Sequence, residues 1–343
     1  MVINLLYFIL NVVILYFLIN FQKKNDLIVD NNKISFHKIH KGTVPLSGGI
    51  FLLINATFFV FFSILDLNIF LFLFSFFLVG LFSDKNINFK PLIRLVFQTV
   101  LTFFFIYYNN IFLSKLNIFF LDEILNVKIL NSLFITFCVI VLINGLNLLD
   151  GKNTLVGGNL LVIFLFIYLI NFKNNNYNSI NLYIIIILFV FLSFNLFGKC
   201  FLGDSGIYTF GLLTAYYSIE SFNSLKEVSA LFIVNLLWLP AFENLFSILR
   251  RLFYAKSEII SPDKKHLHHL LDIYLKKNYK INYKMSNTIC GLLINVYFFI
   301  GLTMAYNFYW SRSVNLLILI ANITVYLLAY IKLFNKLHKL HLI

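Results

Sequence analysis

Charge and cysteine are scarce in this chain. Only 12% of its 343 residues are charged, and only 14 are acidic. A soluble domain carries about a quarter charged residues, so composition excludes an ordinary soluble globular protein. The three cysteines, Cys138, Cys200 and Cys290, are odd in number and far apart. That excludes a disulfide framework and a zinc-type cysteine spacing. No 20–50-residue repeat and no low-complexity linker divides the chain. The sequence therefore reads as one membrane domain over residues 1–343. What is plentiful is apolar: 60% of residues are hydrophobic and 43 are Phe.

A membrane-crossing helix needs about 20 largely apolar residues. Eleven stretches are candidates: Val2–Phe21, Gly48–Leu65, Ile69–Phe82, Ile93–Leu113, Asn131–Leu149, Leu155–Ile170, Ser179–Phe197, Ile207–Ile219, Ser229–Leu249, Ser286–Tyr306 and Val314–Ile331. The third, sixth and eighth are short and must borrow from adjoining loops. The first positive residue, Lys23, follows the first apolar run instead of preceding it. This is the reverse of a secretory signal, so the segment reads as a retained helix. With the N-terminus outside and the C-terminus inside, all but Lys115, Lys128, Lys173, Lys226 and Arg312 of the 27 Lys and Arg face inward. All seven histidines do the same, as the positive-inside rule demands of the basic residues. The net charge of +13 is thus a matter of topology and of the lipid bilayer, not of nucleic acid. The expected fold class is an all-α polytopic membrane protein of about eleven transmembrane helices, N-out and C-in, with functional loops on the inner face.

Polar groups interrupt the apolar runs at that same face. "LVGLFSDKN" puts Asp84 at the end of the third span, and "LINGLNLLDGKNTLVGG" puts Asn144, Asn147, Asp150 and Asn153 at the end of the fifth. "KCFLGDSG" puts Asp204 after the seventh, and "LPAFENLFSILRR" puts Glu243 inside the ninth. A charge at membrane depth costs roughly 2.5–3.5 kcal/mol on insertion scales, but a lone interfacial acid is usually just solvated. Three acids at matching depth, with amide oxygens beside them, form the hard-oxygen set that magnesium accepts together with substrate phosphates. The glycines around them permit close backbone approach to an anion, as well as helix packing and tight turns. "HKIHKGTVPLSGGI", residues His37 to Ile50, adds a turn-rich entry to the second span with Lys38 and Lys41 beside it.

Together these motifs resemble the polyprenyl-phosphate N-acetylhexosamine-1-phosphate transferases, which move a sugar-1-phosphate from a UDP-sugar to a lipid phosphate and release UMP. "KGTVPLSGG" looks like the first motif of that family, and "GLFSDKNINFKPLIRLVFQ" looks like the one that usually holds paired aspartates. "NGLNLLDGKNTLVGG" is similar to its Asn-x-x-Asn-x-x-Asp-Gly motif, "FLGDSG" to its metal loop and "SPDKKHLHHLL" to its His-x-His-His loop. The run from Leu239 to the histidines resembles the bacterial branch that initiates O-antigen and teichoic-type glycans. The peptidoglycan branch, which transfers phospho-N-acetylmuramoyl-pentapeptide, is the second choice.

The resemblance implies Mg2+, with Mn2+ as a substitute, held by Asp204 with Asp150 and Asn153. It implies Asp84, Asp150 and Asp204 as catalytic residues. Asn144, Asn147, Asn153, Phe201, Lys41, Arg94, His266, His268 and His269 would bind substrate, Phe201 by stacking on uracil and the histidines at the diphosphate. The partners would be a UDP-N-acetyl-sugar and undecaprenyl phosphate at a bacterial cytoplasmic membrane, with room for a homodimer. Three departures stand out: Ser83 replaces the first paired aspartate, Asn153 replaces an aspartate, and Asn195–Asp204 is one residue short and lacks a proline.

Zinc at "HLHH" lacks a completing ligand at a suitable spacing. Ser261 as N-cap and Pro262 at the first helical position suggest a helix beginning there, whose N-terminus favours anions. Two other functions stay open: a lipid-linked-sugar transporter and a noncatalytic scaffold, the latter kept alive by Ser83. Transporters tend to place their sites near the midplane between repeats, whereas the polar residues here gather at one face.

Overall fold

The computed structural model describes residues 2–30, 43–85, 90–114, 116–176, 179–225, 227–255 and 265–340, with backbone only at 254 and 255. Each of the eleven apolar stretches is helical: α1 Val2–Lys24, α2 Gly48–Phe61, α3 Leu67–Asp84, α4 Pro91–Tyr108, α6 Lys128–Leu149, α7 Leu155–Lys173, α8 Ser179–Asn195, α9 Gly203–Ser224, α10 Ala230–Arg250, α12 Tyr283–Asn307 and α13 Arg312–Lys339. Two further helices, α5 Phe119–Leu125 and α11 Leu267–Tyr279, were not apparent from hydropathy. The three short runs lengthen as expected, because α3, α7 and α9 continue through flanking polar residues.

Among the described residues, eight helices are long and apolar enough to cross a membrane: α1, α3, α4, α6, α7, α10 (through Phe253), α12 and α13. Helices α2 and α8 are apolar but shorter. Helix α9 differs in kind, for its Gly, Ser, Thr and Tyr residues are nearly all buried by helices packed around it. The protein is an all-α polytopic membrane protein with α9 at its centre.

Small residues set the spacing of that centre. A Cβ at Gly80 of α3 would lie 2.3 Å from the Ser205 Cα of α9, and one at Gly145 of α6 would lie 1.9 Å from the Pro240 carbonyl oxygen of α10. Dispersion and close backbone approach, not water exclusion, hold helices together in lipid, so such contacts carry much of the association. They draw the C-terminal ends of α3 and α6 and the N-terminus of α9 to one end of the bundle. At the other end Asn223 donates to the Phe112 carbonyl and Arg312 to that of Asn117, closing the loops there.

Two loops are sewn together at the polar end. Strand β1 (Val29–Asp30) pairs antiparallel with β2 (Val44–Pro45). The Phe201 N–H donates to the Pro45 carbonyl, and the Gly48 N–H donates to that of Phe201. Asn195, in the shortened segment, accepts from the Thr154 N–H at 2.6 Å and donates to the Cys200 carbonyl at 2.8 Å. It thereby ties the loop after α6 to the loop before α9.

Candidate active site

Helix α9 begins with its N–H groups aimed at the end of α3. Asp84 Oδ1 accepts from the Asp204 N–H at 2.7 Å, and Oδ2 accepts from the Ser205 N–H at 3.0 Å. A carboxylate from another helix thus does the work of an N-cap, satisfying donors that α9 leaves open and meeting the positive end of its dipole. Gly203 makes this possible. Its φ is +74°, and a Cβ there would stand 2.9 Å from Asp84 Oδ2.

Asp204 points into a second cluster. Arg94 of α4 donates to its Oδ2 at 2.9 Å and to Ser83 Oγ at 2.6 Å. Ser83 itself donates to Asp204 Oδ2, and the Tyr208 hydroxyl lies 3.3 Å from the same oxygen. The serine at the expected aspartate position is therefore a neutral bridge between an acid and a guanidinium. A second carboxylate there would crowd Asp204 with like charge.

Asp150 follows α6 and carries some exposed surface, yet protein surrounds it at longer range. That enclosure first, then the charges of Asp204 and Asp84, push its pKa up to about 7. The three acids gather as the sequence suggested. Asn153 is held against α12: its N–H donates to Asn287 Oδ1 at 2.7 Å, and its side-chain Nδ2 lies 3.4 Å from Thr288 Oγ1. Asn144 donates to its own helix at Ile140, and Asn147 is half-buried on the same turn of α6 as Asp150. Phe201 is half-buried beside β2. Lys41 lies outside the described residues, as do Ser261 and Pro262.

The histidines stand against the Asp150 loop. The helix that carries His268 and His269 spans Leu267–Tyr279. Lys265 and His266 are non-helical, and His266 is the N-cap of α11. A Cβ on Gly151 would be 2.6 Å from His268 Nε2 and 3.3 Å from His269 Cε1, so only glycine lets the two loops meet this closely. His268 is buried with neither ring nitrogen hydrogen-bonded. Burial, then the neighbouring His269, His266 and Lys152, holds it well below the usual histidine range.

Two pairings here escaped sequence reading. Lys152 donates to Asp272 Oδ2 at 2.5 Å, and the same acid accepts from Lys276 at 2.7 Å and from Ser286 at 2.5 Å. Burial pushes Asp272 upward, but Lys152, with Lys276 and Ser286, outweighs it and holds the acid below the usual range. The second pairing joins His266 to Glu243 of α10, the acid already conspicuous inside an apolar span. Tyr208 was legible in principle, since it lies four residues after Asp204 and so on the same helical face.

The described residues contain no cluster of three His, Cys, Asp or Glu side chains arranged to hold a metal. Asp204 and Asp150 form a sparser donor set. It suits a hard cation that keeps water and takes phosphate oxygens, and it does not suit zinc.

The family model described as glycosyl transferase family 4 matches residues 66–222, the stretch holding Asp84, Arg94, Asp150 and Asp204. Undecaprenyl-phosphate alpha-N-acetylglucosaminyl 1-phosphate transferase of Escherichia coli O157:H7 is 27% identical over 283 residues, covering 77% of this chain and 74% of that protein. Phospho-N-acetylmuramoyl-pentapeptide-transferase of Dictyoglomus turgidum is 29% identical, covering 63% and 72%. The probable undecaprenyl-phosphate N-acetylglucosaminyl 1-phosphate transferase of Bacillus subtilis is 29% identical over 37% of each chain. Through residues 66–222, which hold the acids brought together here, the chain is similar to glycosyl transferase family 4.

Proposed function

We propose that the protein transfers an N-acetylhexosamine-1-phosphate from a UDP-sugar to undecaprenyl phosphate, giving undecaprenyl-diphosphate-sugar and UMP. The observation that carries this reading is the meeting of Asp204, Arg94, Ser83 and Asp84 at the N-terminus of α9, beside the Asp150 loop and the histidines. Anions on both substrates would be met by Arg94 and the imidazoles. The names of the undecaprenyl-phosphate N-acetylglucosaminyl 1-phosphate transferases above support the lipid phosphate and the sugar phosphate.

A phosphate oxygen of the lipid attacks the sugar-bearing phosphorus. A new P–O bond forms there, the P–O bond to the bridging oxygen breaks, and UMP leaves with that oxygen. The attacking phosphate is already anionic near neutral pH, so catalysis is mostly positioning and charge neutralisation. Asp84 fixes the start of α9 and so aims Asp204, while Arg94 offers its guanidinium to phosphate oxygens. Position 83 supplies no carboxylate nucleophile, which favours direct attack over a covalent aspartyl intermediate. Mg2+ would be held by Asp204 and Asp150 and, when bound, would neutralise diphosphate charge. Asn153 serves this reading by anchoring the loop to α12. An apolar groove of about 540 Å3 runs between α6, α9 and α10, from Leu116 and Arg312 at the far end to Leu245, and suits a lipid tail. The reading includes eleven spans, N-out and C-in, in a bacterial inner membrane, with the site on the cytoplasmic face.

Ser83 favours a second reading, a family member that scaffolds a glycan-assembly complex without turnover. The test is radiolabelled transfer in membranes given UDP-GlcNAc, undecaprenyl phosphate and Mg2+, for the wild type and Ser83→Asp, beside an active relative. UMP release by the wild type is expected. No turnover by either protein, with the control active, would end the transferase reading and leave the scaffold. A panel of UDP-sugars then identifies the donor.

A further inference from the structure

Glu243 is a buried acid to which the transfer chemistry assigns no task. It sits on α10 three residues after Pro240 and is 1% exposed. An unpaired charge so placed is strongly destabilising. Two groups answer it: the Tyr326 hydroxyl of α13 donates to Oε2, and His266 Nδ1 lies 2.8 Å from Oε1. A carboxylate only accepts, so the proton between them belongs to His266 Nδ1. The other ring nitrogen, Nε2, makes no hydrogen bond among the described residues and is not sealed off as the nitrogens of His268 are. The His266 ring stacks on His268, the residue that meets Gly151, with centroids 5.6 Å apart and planes 10° apart. Among the described residues, further titratable and charged neighbours include Lys265, His268 and His269 beside His266, and Tyr330 of α13 and Arg250 of α10 beside Tyr326.

We propose that Glu243, held by Tyr326, is the positioning residue for His266: it keeps Nδ1 protonated so that the ring can take a second proton at Nε2 and donate it to the diphosphate of the nucleotide sugar. This rests on the nucleotide-sugar reading above. It makes α13, far along the chain from every acid of the site, part of the substrate machinery.

The geometry gives an unusual signature. In Glu243→Gln the amide must still accept from Tyr326, whose hydroxyl has no other acceptor among the described residues. The amide nitrogen then faces Nδ1, which must accept, and the doubly protonated ring is forbidden. Removing the tyrosine hydroxyl as well frees the glutamine to turn its oxygen toward Nδ1. Calorimetry on the full chain in detergent, with UDP and UMP as probes, is expected to show UDP binding weakened about tenfold by Glu243→Gln. UMP binding should be little changed, and UDP binding partly restored in Glu243→Gln/Tyr326→Phe. The KM for UDP-GlcNAc should rise more than kcat falls. A merely structural role predicts the opposite order, with the double variant worse than the single.

In the wild type, 15N-histidine spectra with UDP bound should show His266 protonated on both nitrogens, a measurement that does not depend on any variant folding. Equal UDP affinity in Glu243→Gln and wild type, a double variant weaker than the single, or a singly protonated His266 with UDP bound would each overturn the proposal. A wild type that binds no UDP at all would overturn the nucleotide-sugar reading and this proposal with it.

Discussion

Arg94 and Asp204 are each 22% exposed across their 2.9 Å ion pair, whereas Lys152 and Asp272 are 1% and 4% exposed across theirs. Both pairs join segments more than a hundred residues apart, and both lie at the same end of the bundle. They differ in what water and ligands can reach. The open pair can exchange partners, since solvent screens it and a phosphate or cation can replace either member at small cost. The sealed pair has no such alternative, because breaking it strands a charge in low dielectric. Exchangeable charge therefore lies where substrate is expected, while fixed charge clamps the Asp150 loop to the histidine helix. The His266–Glu243 pair, 4% and 2% exposed, belongs with the sealed kind.

This contrast can be broken at several points. The largest effect is expected at Asp204→Asn, which removes the negative partner of the open pair but keeps its shape. Transfer should fall on the order of a hundredfold or more while thermal unfolding in detergent moves little. An unfolded or fully active variant would contradict the division of labour. Next comes Asp272→Asn, which leaves Lys152 buried without its counterion. Breaking such a pair costs about 3–5 kcal/mol, and the unfolding midpoint should drop accordingly. The doubly apolar Lys152→Met/Asp272→Leu should recover much of that loss, as measured by the same melt. The sign with pH follows from the depressed Asp272 carboxyl. Its contribution is present above the ordinary value of 3.8 and is lost as pH falls through its lower folded value, so wild type and Asp272→Asn should converge only in strong acid. The smallest effect is expected at Arg94→Lys. A lysine keeps the charge but lacks the planar fork that reaches Ser83 and Asp204 together, so activity should fall about tenfold with stability unchanged.

The acids Asp84, Asp150 and Asp204 were legible in the sequence because each interrupts an apolar run, where a charge needs a reason. What each one does was not legible. Nothing local says that Asp84 would spend both oxygens on the N–H groups of α9, because its partners are 120 and 121 positions away. The start of α11 at Leu267 was not legible for a similar reason, because His266, its N-cap, meets Glu243 of another helix. Glu243 itself stood out as a charge in lipid, and its partners could not be guessed from α10 alone. Asp272 offered no signal, since an acid in a polar stretch is normally just solvated.

By itself, the sequence determined that this is a helical membrane protein, where its apolar helices fall, and which motifs lie at their ends. Those follow from hydropathy and from backbone hydrogen bonds that a helix satisfies locally, which lipid demands of every span. The tertiary structure alone decided which charges are open and which are sealed. That depends on which helix faces meet, and here glycines at 80, 145, 151 and 203 set how close they come.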